Sequence, residues 1–395
     1  MFTAGVGISD AADAREGVTS ALRQAKTQMG RERADLVLCF ATVDHAPCFA
    51  EMHAVLVQGA GTDHVVGCSG GGVIGGRREI EGAPGVAVLT VATDEMRMAL
   101  FHDPDFHRDN RASAERIAAA VDTCMGDNPL LIAFPDPLSM HGDRFLEAIE
   151  DYCGRVPIVG GAAGDDGRHG HTYQIGPQGV TTHGVSGVLL SGPIRHSAGI
   201  TQACHPLCTP EVITAGDGNR IDEIGGRPAV ALLAELLKEQ GILQFSAAAG
   251  LIYLAIPLDP TDAKLQPGHY TARNLTALDL DNGAVYVGEE IQVGQAVAFA
   301  IREPARALRD MQAMVRGVAE AWPAPPPTFG LYTNCCGRGR GLYRRANRDA
   351  AIIGGTFDHV PVAGFFSYAE FCPVERHNRL HNYSGILTLV GEALA

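Results

Sequence analysis

Pro157-Ile158-Val159-Gly160-Gly161-Ala162-Ala163-Gly164-Asp165-Asp166 carries an apolar run straight into a glycine cluster, and that junction decides the fold. Ile and Val fit a pleated, half-buried strand, whereas glycine directly after a strand marks a sharp turn or the close approach of another backbone. Reading outward, Leu130-Leu131-Ile132-Ala133-Phe134 is a second apolar strand, with 30 residues from Leu130 to Gly160. Between them Phe145 to Tyr152 has helical spacing, and beyond them Gly187-Val188-Leu189-Leu190 reads as a strand returning along the first.

The same order of elements recurs. Upstream, Leu36-Val37-Leu38-Cys39-Phe40 leads to Val65-Val66-Gly67-Cys68-Ser69-Gly70 and a returning strand from Gly85 to Val91; downstream, Phe329-Gly330-Leu331-Tyr332 leads to Pro361-Val362-Ala363-Gly364 and to Gly385-Ile386-Leu387-Thr388-Leu389. Strand start to glycine spans 31 residues from Leu36 to Gly67 and 34 from Gly330 to Gly364, a length that suits a βαβ crossover. A fourth, degenerate copy is expected over Gly250 to Ala300, with a buried strand at Leu251–Ile256 and part of a hairpin at Ala284–Val287. Helical periodicity falls on Ala14–Met29, Ala112–Met125, Ala229–Gln240 and Ala305–Ala319. The expected fold class is α/β: repeated β-α-β-β units forming mixed sheets flanked by helices, in a two-part architecture. The main boundary is expected between Gly192 and Gly226, giving an N-terminal domain over 1–222 and a C-terminal domain over 223–395; Pro323–Pro327 is a second candidate linker.

Composition narrows the function. The 395 residues are 46% hydrophobic and 19% charged, the balance of a folded globular chain. A formal net charge of −14 disfavours nucleic acid, whose binders present a basic face to phosphate. Met1 to Gly7 lacks the basic and apolar regions of a secretory signal, and no apolar span is long enough for a membrane helix. The expectation is a cytoplasmic protein without a membrane partner. Its ten cysteines are then reduced thiols rather than a disulfide framework, with Cys39, Cys124 and Cys153 expected in the core.

Several motifs in fixed order carry a family resemblance. They are Gly67-Cys68-Ser69-Gly70-Gly71, Gly160-Gly161-Ala162-Ala163-Gly164-Asp165-Asp166, Gly226-Arg227-Pro228-Ala229, Asn334-Cys335-Cys336-Gly337-Arg338-Gly339-Arg340, Gly364-Phe365-Phe366-Ser367-Tyr368-Ala369-Glu370 and Leu380-His381-Asn382. From about Ala34 to Val390 the chain resembles the FIST family, an N-terminal part followed by a C-terminal part. The resemblance implies a cytoplasmic input domain that binds a small metabolite, amino-acid-like or another small acid, and signals to a partner such as a histidine kinase or cyclase. It also implies an alternative, a haem-dependent nitric oxide sensor.

Ligands in open α/β sheets collect outside the carboxyl ends of the strands. The candidate ligand residues are therefore Cys68, Ser69, Gly70, Gly161, Asp165, Asn334, Arg338, Tyr368, Glu370 and His381. Tyr368 and Glu370 are placed after the third strand as Ser69 and Asp165 are after the first two, all facing one cavity. Arg338 would take a ligand carboxylate and Glu370 an amine; the competing account makes Arg338 and Glu370 a buried ion pair. For haem the candidate ligands are Cys204, His205 and Cys372, thiolate and imidazole being usual donors to haem iron. Gly67-Cys68-Ser69-Gly70-Gly71 also matches G-x-S-x-G, which raises a hydrolase or thiol enzyme using Ser69 or a cysteine, but a strand-like run follows where a nucleophile elbow needs a helix. Arginines flanking Cys335 and Cys336 would lower a thiol pKa and favour redox sensing. His169-Gly170-His171 offers two imidazoles at metal-binding spacing.

Overall fold

The three apolar first strands form at Leu36–Thr42, Leu130–Pro135 and Phe329–Cys335, each followed by a helix and a parallel partner: Val65–Gly70, Ile158–Ala162 and Val362–Ser367. The structure, a computed structural model, describes residues 2–248, 250–262 and 264–393. In register, Cys39 faces Gly67, Ala133 faces Gly160 and Tyr332 faces Gly364. A Cβ on any of these three glycines would collide with the carbonyl of its partner residue, so close strand packing is what demands glycine there.

Each repeat is longer than the sequence pattern alone indicates. A leading strand and a helix precede the apolar strand: Phe2–Ser9 with Ala14–Met29, Arg97–Asp103 with Asn110–Val121, and Ile194–Gln202 with Pro304–Ala321. The returning strands Val86–Thr93, Val185–Ser191 and Ser384–Glu392 lie between the leading strand and the first strand of their sheets.

Three six-stranded mixed sheets result, and each ends in a hairpin borrowed from another repeat. The hairpin of 174–181 extends the first sheet, where Ile175 faces Gly67; that of 369–381 extends the second, where Glu370 faces Gly161; and that of 72–81 extends the third, where Ile74 faces Gly364. The exchange is cyclic, so the three repeats fold as one body. Chain contacts divide the protein into this unit, residues 1–200, 311–380 and 384–395, and a second unit, residues 201–310 with 381–383. The second unit is an insertion between the leading strand and first helix of the third repeat, a different division of the chain from the 222/223 boundary.

The second unit corrects the expectation of a fourth repeat. Ile252–Pro257 is a buried strand and Ala284–Val287 pairs in a hairpin with Tyr270–Asp279, but every pairing here is antiparallel. Ala296–Arg302 pairs on one side with Ile252–Pro257 and on the other with Glu211–Asp217, which closes the sheet on itself as a barrel. Helix Ala229–Glu239 buries Leu232, Leu233, Leu236 and Leu237 against that barrel.

Candidate functional site

At the carboxyl ends of the three parallel pairs the glycine-rich loops meet directly. The amide of Gly164 donates to the carbonyl of Ser69 (2.9 Å), the amide of Tyr368 to Ala162 (3.3 Å), and the amide of Gly71 to Phe366 (2.9 Å). Counted from Gly67, Gly160 and Gly364, each donor is the fourth residue on and each acceptor the second, so the three bonds form a closed cyclic ring. Below it the rings of Phe40, Phe134 and Phe365 pack with centroids 4.8 to 5.7 Å apart. The expected common hollow is therefore corrected: main-chain bonds and aromatic rings occupy the axis.

The register also corrects the proposed correspondence of residues. Ser69 lies two residues after its glycine, Asp165 five, Tyr368 four and Glu370 six, so they are not counterparts. Ser69 is buried; its Oγ donates to the carbonyl of Gly164 (2.8 Å) and accepts from the amide of Tyr173 (3.0 Å), which commits the hydroxyl to fastening the loop. A strand, Gly72–Gly75, follows it instead of a helix. Cys68 and Gly70 are buried beside it, and burial holds the Cys68 thiol well above its usual range. Asp165 accepts from the amides of Gly167 (2.7 Å) and Gly170 (2.9 Å) and from the Tyr368 hydroxyl, tying the second loop to the third. Gly161 lies where a Cβ would press on the carbonyl of Ala369 (2.5 Å).

The third repeat holds a polar core. Arg338 is buried with Nε and Nη2 on Asp349 (3.1 to 3.3 Å) and Nη2 on the Tyr343 hydroxyl (2.9 Å), while Nη1 has no partner among the described residues. Asn334 donates to the same Asp349 (3.2 Å). Glu370 is buried too, accepting from the hydroxyls of Ser367 and Ser384 (2.6 Å each) and from the Ser384 amide (3.3 Å). The ion-pair expectation is thus corrected: the partner of Arg338 is Asp349. Burial pushes Glu370 up to about 7, against the pull of those serine hydrogen bonds and of Arg338.

Acids of the exchanged 72–81 hairpin complete this core. Glu79 accepts from the amide of Ala350 (2.8 Å), in the first turn of helix Arg348–Thr356, while its own amide donates to Asn347 Oδ1 (2.6 Å). That is a reciprocal cap made between distant parts of the chain. Glu81 receives the amide of Arg340 at 3.0 and 3.1 Å. Burial and the Asp349 carboxylate push Glu79 up to about 7. These acids were not singled out from the sequence; their alternation in Arg78-Glu79-Ile80-Glu81 was the available signal.

Cys336 departs from the expected lowering, first through burial and then through its charged neighbours. Arg338 turns to Asp349, and Cys336 is left among Glu370, Asp165 and Glu81; burial first, then the Glu370 charge, pushes its thiol up to about 12. Of the cysteines expected in the core, Cys39 is buried and Cys124 and Cys153 are half-buried. Among the haem candidates, Cys204 and His205 are neighbours on one strand and so point to opposite faces, and burial pushes Cys372 up to about 12. His381 is buried and belongs to the second unit. His169 and His171 pair separately with Asp166 and Tyr173. No group of three or more His, Cys, Asp or Glu among the described residues could hold a metal ion.

The chain is 30% identical over 394 residues to an uncharacterized protein of Mycobacterium tuberculosis, covering 98% of each chain, and 28% identical over 388 residues to one of Mycobacterium bovis with the same coverage. Among solved structures, a cyanuric acid hydrolase from A. caulinodans aligns over 100% of both chains at a TM-score of 0.39 and 10% identity. A model of the FIST N domain matches residues 35–227 and one of the FIST C domain residues 229–373. The chain belongs to the FIST family of signal-transduction sensory domains, with an N and a C domain in succession.

Proposed function

We propose that this protein is a cytoplasmic sensory module that binds a small amino-acid-like metabolite in the polar core of its third repeat and relays the bound state to a signalling partner, a histidine kinase or a cyclase. The observation that carries this reading is Arg338, a fully buried guanidinium whose Nη1 has no partner among the described residues. An unmet buried donor of this kind costs roughly 1–3 kcal/mol. Glu370, buried nearby without an ion-pair partner among the described residues, supplies a carboxyl for an amine. Asp349 already balances Arg338, so a simple anion would load the cluster with excess negative charge. A zwitterion adds none, which favours an amino acid over other small acids.

Entry requires the cover over this core to move. The segment 339–347 carries exposed Arg340, Arg344 and Arg345 and turns through left-handed backbone at Arg344 (φ 57°) and Asn347 (φ 60°). It is held by Arg338 on Tyr343 and by Glu81 on the Arg340 amide. Release and re-closure of this cover is the event passed to the partner. No helix among the described residues is long and apolar enough to cross a membrane. Titration calorimetry of the whole chain against the amino acids, simple dicarboxylates and alkyl amines tests the proposal. Saturable heat is expected with an amino acid alone, and silence across the panel from folded protein overturns the reading.

A further inference from the structure

The second unit contains a cleft that the polar core does not explain. It has a volume of about 240 Å³ and lies wholly within the inserted barrel unit. Leu233 and Leu237 of helix Ala229–Glu239 form one wall, Phe245 a second, and Ile252, Leu275 and Leu278 the strand side. Thr276, exposed, is the hydroxyl-bearing residue of the lining, and no charged residue is among the described residues that line it.

The cleft exists because two barrel strands part. The ladder between Ile252–Pro257 and Tyr270–Asp279 runs from Pro257 opposite Tyr270 to Tyr253 opposite Asn274, and beyond that pair Ile252 and residues 275–278 line the opening. A bulge between Leu275 and Ala277 bends the second strand at that place. Well-packed interiors leave few voids larger than a water molecule, so an apolar space of this size beside a helix is built to be filled. Leu243 at 82% and Leu280 at 60% exposure, in the segments leading to and from its walls, extend the apolar surface to solvent.

We infer that this cleft binds the apolar portion of a small uncharged ligand, an alkyl chain or a single aromatic ring, whose one polar group meets Thr276. The volume lies below that of usual drug-sized sites, of order 300–1,000 Å³, which limits the occupant to one such group. Charged metabolites are excluded, because no lining side chain could compensate a buried charge. The site is separate in chemistry from the polar core of the third repeat.

The test uses the full chain and the neutral fluorophore N-phenyl-1-naphthylamine, whose single phenyl ring is the part sized to enter the cleft while the naphthyl group stays at its mouth. Wild-type protein is expected to give saturable, one-to-one fluorescence enhancement. Leu278→Asp, which places a charge on the lining, and Thr276→Trp, which fills the cleft from a position already exposed, are each expected to weaken it at least tenfold. Both variants must keep the wild-type circular dichroism and a cooperative melt, and two lesions of opposite kind guard against misfolding of either. Displacement by octanol identifies the alkyl chain as occupant, and displacement by indole the ring. Non-saturable uptake by wild type, or equal uptake by both folded variants, overturns the inference.

Discussion

The amide of Gly164 reaches the carbonyl of Ser69 at 2.9 Å, joining the loop of the second repeat to that of the first. Its two symmetry counterparts make the same bond between the other loops, so each repeat is both donor and acceptor. Three hydrogen bonds then close a ring above the packed phenylalanine rings, and the exchanged hairpins link the repeats again at the sheet edges.

Glycine is required in that ring by the nearness of other backbones. A Cβ on Gly164 would lie 2.5 Å from the Phe366 carbonyl oxygen and 2.7 Å from the Gly71 amide, both main chain, whereas one on Gly71 would meet the Cys336 sulfur at 2.7 Å and clash with a single main-chain atom, the Asp165 carbonyl oxygen, at 2.9 Å. A side chain can rotate away and a ring of main chain cannot. Gly164→Ala is expected to destabilise by about 3 kcal/mol and Gly71→Ala by less. Gly317→Ala, in an exposed helix turn with nothing within 4 Å of the added methyl, is expected to stabilise by up to about 1 kcal/mol. Urea unfolding of the three variants checks the order.

Asp349 is the counter-charge of Arg338, and Glu370 is held by serines instead. Asp349→Asn leaves a buried guanidinium uncompensated and is expected to cost about 3–5 kcal/mol. Glu370→Gln is expected to be tolerated at neutral pH. Equal losses in chemical unfolding would show that Glu370 is the counter-charge after all.

How much of this was legible depends on the range of the interactions. Leu36–Phe40, Leu130–Phe134 and the glycines after their partner strands are local patterns, so the three strand-helix-strand units read directly from the sequence. The hairpin exchange did not, because Gly72–Gly75 pairs with Ala363–Phe365 nearly 290 residues away and no local propensity encodes that choice. The leading strands were missed for another reason: Phe2–Ser9 carries three small residues, Ala4, Gly5 and Gly7, and Arg97–Asp103 is half-exposed over most of its length. In the candidate site, the residues around the glycine clusters were found but their roles shifted. Ser69 and Asp165 fasten loops, and Arg338 finds its partner eleven positions on, at the start of helix Arg348–Thr356, rather than across the repeat.

Asn347, just before helix Arg348–Thr356, fastens the exchanged hairpin from an unusual backbone. It sits at φ 60° and accepts the Glu79 amide at 2.6 Å. Asn347→Gly keeps the backbone and loses the bond, whereas Asn347→Ala loses both. The alanine variant is expected to be less stable than the glycine variant by about 1 kcal/mol, since a left-handed conformation strains alanine by roughly that amount. Thermal melts of the pair measure the difference.

Glu370 also sets a pH dependence whose sign follows from linkage. Burial raises its folded-state value to about 7, above an unfolded value of about 4.3. The folded state therefore holds the proton more tightly, and this contribution to stability is fully present below about pH 4 and lost as pH rises through 7. Glu79, raised to about 7 by burial and by Asp349, adds a dependence of the same sign. Gln at position 370 removes its share without breaking the network. The amide nitrogen can donate to Ser367 Oγ, which turns its own hydrogen to the Asn334 carbonyl at 3.3 Å, and the amide oxygen still accepts from Ser384. Between pH 5 and pH 8 the wild type is expected to lose stability, and Glu370→Gln to lose on the order of 3 kcal/mol less. Unfolding midpoints of both proteins across that range decide it, and parallel curves would mean that the Glu370 carboxyl is ionised in the folded protein throughout.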